Sequence, residues 1–147
     1  MAFRAAFYKG VRPGVPGIYN RCVRWWTRGP YSHCELVFSS GVSASASYMD
    51  GGVRFKWIEY DPTHWDFIYL PAHFEPHALA VFEKKQGDRY DLLGNVHFVI
   101  SAVGDDDGKS FCSEILGEAL GLLEPYRFSP NALSVILKSM FPQLQPA

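Results

Sequence analysis

Five short β-compatible runs, separated by turn residues and followed by helical patterns, constrain this chain most. The runs are Ala2–Tyr8, Ser32–Phe38, Val42–Tyr48, Val53–Ile58 and Trp65–Leu70. Val42–Tyr48 alternates strictly, with Ser43, Ser45 and Ser47 on one face and Ala44, Ala46 and Tyr48 on the other. Val53, Phe55 and Trp57 share a face, with Arg54 and Lys56 opposite. Ser39-Ser40-Gly41 turns the chain, and Asp50-Gly51-Gly52 is a hairpin signal. Short runs joined this tightly pair antiparallel. Helical patterns cover Pro76–Gln86, Leu92–Ala102, Cys112–Leu120 and, from the Ser129-Pro130 cap, a stretch ending near Met140. An earlier helix fits Ile18–Thr27, after a Pro/Gly-rich loop at Lys9–Gly17 and before Gly29-Pro30. Strands first and helices after give an α+β domain, an antiparallel sheet of about five strands with helices packed on it.

A chain of 147 residues fits one domain. A domain of this size buries roughly 68–70% of its unfolded surface, enough to hold without disulfides or a metal. The formal charge of −1 argues against a nucleic-acid-binding surface as the main function. Arg21, Arg24 and Arg28 do cluster, but an amphipathic helix with solvated arginines and buried tryptophans is the simpler reading. Cys22, Cys34 and Cys112 form neither a disulfide framework nor a zinc spacing. Asp105-Asp106-Asp107-Gly108 fails the calcium-loop pattern, since Lys109 and Leu116 fall where ligands are needed. No signal peptide is apparent, and no apolar run approaches the ~20 residues that cross a bilayer. The expected location is the cytoplasm.

The chemistry-bearing residues are Cys112 and His33. Cys112 opens a helical pattern in which Ile115, Leu116 and Ala119 share its face. At a helix start, unpaired N–H groups and the macrodipole favour a thiolate and can serve as an oxyanion hole. The competing reading is a buried small hydrophobe, the usual state of a free cysteine. His33 stands on a β run, with Glu35 on its own face and Cys34 on the other. His77 and His97 fall in helical stretches with no acidic or thiol neighbour at useful spacing, and His64 and His73 fall in loops. A thiol at a helix start and an imidazole on a strand are what a cysteine nucleophile and its base require. The two lie 79 residues apart, so only the fold can join them.

Tyr31-Ser32-His33, then sheet, then Phe111-Cys112-Ser113-Glu114 resembles the circularly permuted branch of the NlpC-type papain-like superfamily. That branch includes YiiX-like proteins and is distantly similar to lecithin:retinol acyltransferase. In it the histidine strand precedes the cysteine helix. Tyr90-Asp91-Leu92-Leu93-Gly94 resembles the branch's Y-D-x-x-G segment, and Asp50-Gly51-Gly52-Val53-Arg54 sits where such proteins make a hairpin. The resemblance implies a permuted papain-like architecture and a cysteine peptidase, amidase or acyltransferase without metal or organic cofactor. It also suggests a phage or prophage setting.

This chain departs from the family at one strand. Val42–Tyr48 carries no acid or histidine to orient the imidazole. Glu35 is the first candidate for that role and Ser45 the second, a hydroxyl being the weaker acceptor. Ser47 ranks behind them and is assigned, with Tyr31, to substrate contact. The expected reaction is attack by Cys112 on an amide, ester or thioester carbonyl, with His33 as base. Substrates implied by analogy are a cell-wall peptide, an amidated amino acid or a lipid acyl group. The rival is a catalytically inert binding or structural module of the same fold.

Overall fold

The computed structural model describes residues 1–10, 21, 24–25, 28–47, 50–86 and 111–146. The expected helix over 92–102, the Y-D-x-x-G segment, the acidic loop, Cys22, Tyr48 and most of the 9–17 loop and the 18–27 helix lie outside them.

Five strands form one antiparallel sheet: β1 (Arg4–Tyr8), β2 (His33–Val37), β3 (Ser43–Ser47), β4 (Gly52–Lys56) and β5 (Trp65–Tyr69). Their order across the sheet is β4-β3-β2-β1-β5. β1 pairs β2 with Tyr8 opposite His33 and Phe7 opposite Cys34. β3 pairs β4 with Ser45 opposite Arg54. The glycines of the β3–β4 connection earn their place, because Gly51 (φ 81°) and Gly52 (φ 136°) lie where a Cβ is strained. The β2–β3 ladder is the short one, with Leu36 opposite Ala44 and Val37 opposite Ser43.

Among the described residues, three α-helices follow the sheet: α1 (Glu75–Lys85), α2 (Phe111–Ala119) and α3 (Pro130–Met140). Each begins or ends where local chemistry allows. Pro76 sits in the first turn of α1, where its missing N–H costs nothing. The Ser129 side chain accepts from the Ala132 N–H at 3.2 Å and caps α3.

The helices pack on one face of the sheet. Ala5 and Phe7 of β1, Cys34 and Leu36 of β2, Ala44 and Ala46 of β3, and Ile68 of β5 meet Phe82, Cys112, Ile115, Leu116, Ala119, Leu133 and Leu137 in one core. The helix α2 is central, touching β2, β3, α1 and α3. Ala44 and Ala46 are small, which lets this helix approach the sheet closely. The opposite face carries a second cluster of Ala6, Tyr8, Val37 and Trp65, flanked by Tyr60 and Phe67. Buried polar groups interrupt that second cluster: Glu35, Ser43 and Ser45.

One expectation about tryptophan is overturned. Trp25, assigned to a buried face, is 78% exposed, and Arg21, four residues before it, is exposed as well. Trp57, expected within the fourth strand run, lies just past the end of β4 at Lys56 and is 71% exposed. Among the described residues, no helix is long and apolar enough to cross a membrane.

Candidate active site

Ser45, Arg54 and the short β2–β3 ladder create the site. Among the described residues the β2–β3 pairs are Leu36 with Ala44 and Val37 with Ser43. The Cys34 carbonyl accepts from the Ser45 hydroxyl at 2.7 Å. A buried acceptor left without a donor would cost about 1–3 kcal/mol, so the serine hydroxyl helps hold the start of β2 to β3.

The other end of this segment is held from α3. Asn131 accepts from the Tyr31 N–H at 2.9 Å and donates to the Tyr31 carbonyl at 2.8 Å. The chain therefore enters His33 between two fixed points, the Asn131 clamp and the Tyr8 rung. Gly29 is required beside the clamp, because an added Cβ would lie 2.2 Å from Asn131 Oδ1.

His33 Nε2 lies 2.7 Å from Glu35 Oε1. The imidazole also interacts with Cys112, through a hydrogen bond and its charge, while Nε2 is turned to Glu35. His33 belongs by alternation to the Glu35 face, whereas Cys112 arrives from the helix face. The Trp65 ring closes the other side of the imidazole, edge-on at 6.4 Å between centroids.

Glu35 is 1% exposed, and a carboxylate so buried must be compensated. Arg54 supplies this with a two-pronged contact, Nη1 to Oε2 and Nη2 to Oε1, both 2.6 Å. Arg54 comes from β4 and crosses over its cross-strand neighbour Ser45 to reach β2. A strand of serines on this face leaves the room for that crossing. Asp50 in turn accepts from Arg54 Nε at 2.8 Å and from Lys56 at 3.2 Å. A continuous chain of alternating charge thus runs from Lys56 and Asp50 through Arg54 and Glu35 to His33 and Cys112.

The electrostatics follow the geometry. Burial opposes a charged imidazole, but the charge and hydrogen bond of Cys112, reinforced by Glu35, raise the His33 pKa to about 10. Burial likewise opposes ionised Glu35, yet the Arg54 fork and then His33 hold its pKa below the usual carboxylate value. Cys34 is pushed well above the ordinary thiol value by burial first, then by its hydrogen bond to Cys112 and the negative charge there.

The residues expected from sequence therefore divide. Cys112, His33 and Glu35 come together. Ser45 does not orient the imidazole; its hydroxyl binds the Cys34 carbonyl, and Glu35 occupies Nε2. Ser47 lies half-buried at the end of β3, opposite Gly52. Tyr31 is 6% exposed, and its hydroxyl donates to Asp66 Oδ2 at 2.8 Å, with Lys9 on the other oxygen of that carboxylate at 2.6 Å. Burial and this carboxylate raise the phenol's pKa, so its hydroxyl is committed to Asp66 rather than to a substrate.

Arg54, Asn131 and the neighbourhood of Cys34 with Cys112 were not singled out from sequence. Arg54 carried one usable signal, a cation on the polar face of a strand whose neighbour offers only serines. Ser32 adds a buried hydroxyl with no hydrogen-bond partner among the described residues, one residue before the imidazole.

No family model, curated protein or solved structure matches the chain.

Proposed function

We propose that this protein is a cysteine hydrolase or acyltransferase of permuted papain-like design, with Cys112 as nucleophile, His33 as acid and base, and Glu35 orienting the ring. The observation that carries this reading is the imidazole of His33 held between a buried carboxylate and the Cys112 sulfur. An imidazolium stabilised by a carboxylate favours the thiolate beside it. The histidine strand preceding the cysteine helix also agrees with the permuted order.

The thiolate attacks the carbonyl carbon of an amide, ester or thioester. The oxyanion that forms is met by N–H groups in the first turn of α2. The tetrahedral intermediate collapses, the Nδ1 proton of His33 passes to the leaving amine, alcohol or thiol, and the acyl group stays on sulfur. Neutral His33 then takes a proton from water or another acceptor, which attacks the thioester and releases the acyl group. Throughout, Nε2–H stays on Glu35, which fixes the tautomer. The substrate class by analogy is a cell-wall peptide, an amidated amino acid or a lipid acyl group.

The inert-module reading has one observation in its favour, the 2% exposure of Cys112. A panel of aryl ester, aryl amide and thioester substrates separates the two. Turnover abolished by Cys112→Ala supports the enzyme; turnover that survives the substitution, or acylation of another residue, removes it.

A further inference from the structure

The sequence assigns Cys34 to the core and gives it no further part. The fold places it against the one thiol that the proposed reaction uses. Cys34 lies on β2, beside His33 in the chain but on the helix face of the sheet, where α2 brings Cys112. The two side chains share one core cluster between β2 and α2, where Cys34 feels Cys112 through a hydrogen bond and its charge, and neither is in a disulfide. Both are buried, at 0% and 2% exposure, so neither meets a large thiol reagent readily. The His33 side chain, in contact with Cys112, is 21% exposed and gives small molecules a way in.

We propose that Cys34 and Cys112 are a redox pair, in which a hydroperoxide converts the site reversibly to a Cys34–Cys112 disulfide and blocks the nucleophile. The inference rests on the reading of Cys112 as the reactive thiol. In the first step the Cys112 thiolate attacks one peroxide oxygen and the O–O bond breaks. Sulfur is oxidised to a sulfenic acid, the peroxide is reduced, and the departing alkoxide or hydroxide takes a proton from His33. In the second step the Cys34 sulfur attacks the Cys112 sulfur, and the sulfenic hydroxyl leaves with the Cys34 proton as water.

Two features favour closure over further oxidation. Oxidation removes the negative charge from Cys112, and that charge is one of the causes that keep Cys34 protonated. The backbone at Cys34 also has room to adjust toward β3. Among the described residues the β2–β3 pairs lie at Leu36 and Val37, and the Cys34 carbonyl is held by the Ser45 hydroxyl, so the sulfurs can close to bonding distance without breaking either pair. A trapped disulfide protects Cys112 from irreversible sulfinic acid.

The test treats the full chain with a several-fold excess of hydrogen peroxide, since sulfinic acid takes two equivalents per thiol, and maps its thiols by mass spectrometry, then repeats the treatment with Cys34→Ala. The expected result is a Cys34–Cys112 cross-linked peptide that dithiothreitol reverses, with recovery of Cys112 alkylation. Cys34→Ala should instead accumulate Cys112 sulfinic acid at several times the wild-type yield. Sulfinic acid on Cys112 with Cys34 still free in the wild type would overturn the switch while leaving the reactive thiol intact. Cys112 untouched by both peroxide and iodoacetamide would overturn the switch and the proposed enzyme together.

Discussion

Replacing Arg54 by Met tests the polar chain that supports the imidazole. The substitution keeps most of the side-chain volume and removes both 2.6 Å contacts to Glu35. Glu35 would remain 1% exposed with His33 as its one strong partner. Removing one member of a buried, hydrogen-bonded ion pair costs about 3–5 kcal/mol, because the other charge stays in place unpaired. Asp50 also loses its Arg54 contact, but it is partly exposed and contributes little more. A domain of this length loses roughly 2–4 °C of melting temperature per kcal/mol, so the expected drop is on the order of 6–20 °C. The assay is urea and thermal unfolding at neutral pH. Arg54→Lys should fall between the two proteins, since it keeps the charge without the fork. Arg54→Met combined with Glu35→Leu should recover part of the loss, as an apolar pair replaces an orphaned carboxylate. A loss below about 1 kcal/mol in Arg54→Met would refute the reasoning, because it would rank the contact with exposed ion pairs.

Stability should also depend on pH with two edges. Glu35 and Asp50 have lowered pKa values, so their contribution is present above the ordinary carboxylate range and is lost as pH falls through their folded values. His33 is raised from 6.5 to about 10, so its contribution is complete below pH 6.5 and is lost as pH rises toward 10. Denaturant midpoints measured from pH 3 to 10 should show a plateau between acid and alkaline declines, and Cys112→Ala should weaken the alkaline one; an unchanged alkaline edge would separate His33 from the sulfur. Asn131→Ala removes both bonds to Tyr31 and should cost about 1–3 kcal/mol. It should also slow Cys112 alkylation by loosening the entry to His33, whereas a stability loss with unchanged reactivity would make the clamp purely structural.

The sheet and the described helices were legible because their signals are local. Alternation in Val42–Tyr48, the Asp50-Gly51-Gly52 turn and the Ser129-Pro130 cap each act within a few residues. Observed strand boundaries differ from the expected ones by one or two residues, as at β1, which begins at Arg4 rather than Ala2. The face of α2 was also readable, and Cys112, Ile115, Leu116 and Ala119 are all buried. The contact between His33 and Glu35 follows from two-residue spacing on one strand.

What could not be read depends on strand order and helix placement. Arg54 reaches Glu35 only because β3 lies between β4 and β2 and carries a serine at the crossing. Ser45 is a candidate imidazole partner by its place on the strand after the histidine, yet its hydroxyl donates to the Cys34 carbonyl instead. Which face of the sheet the Cys112 helix covers, and so whether it meets β2, is set by the fold and not by the spacing of the two residues. None of this is encoded in the spacing of residues along the chain.

The pH dependence of Cys112 alkylation tests the central claim most directly. Iodoacetamide labelling of the native protein, mapped by peptide mass from pH 5 to 9, reads the thiolate population at that sulfur. A thiolate held by His33 gives labelling that persists below pH 7 and outpaces Cys34, and His33→Ala shifts the curve toward the ordinary thiol value of about 8.5. Identical curves for the native protein and His33→Ala would contradict the account.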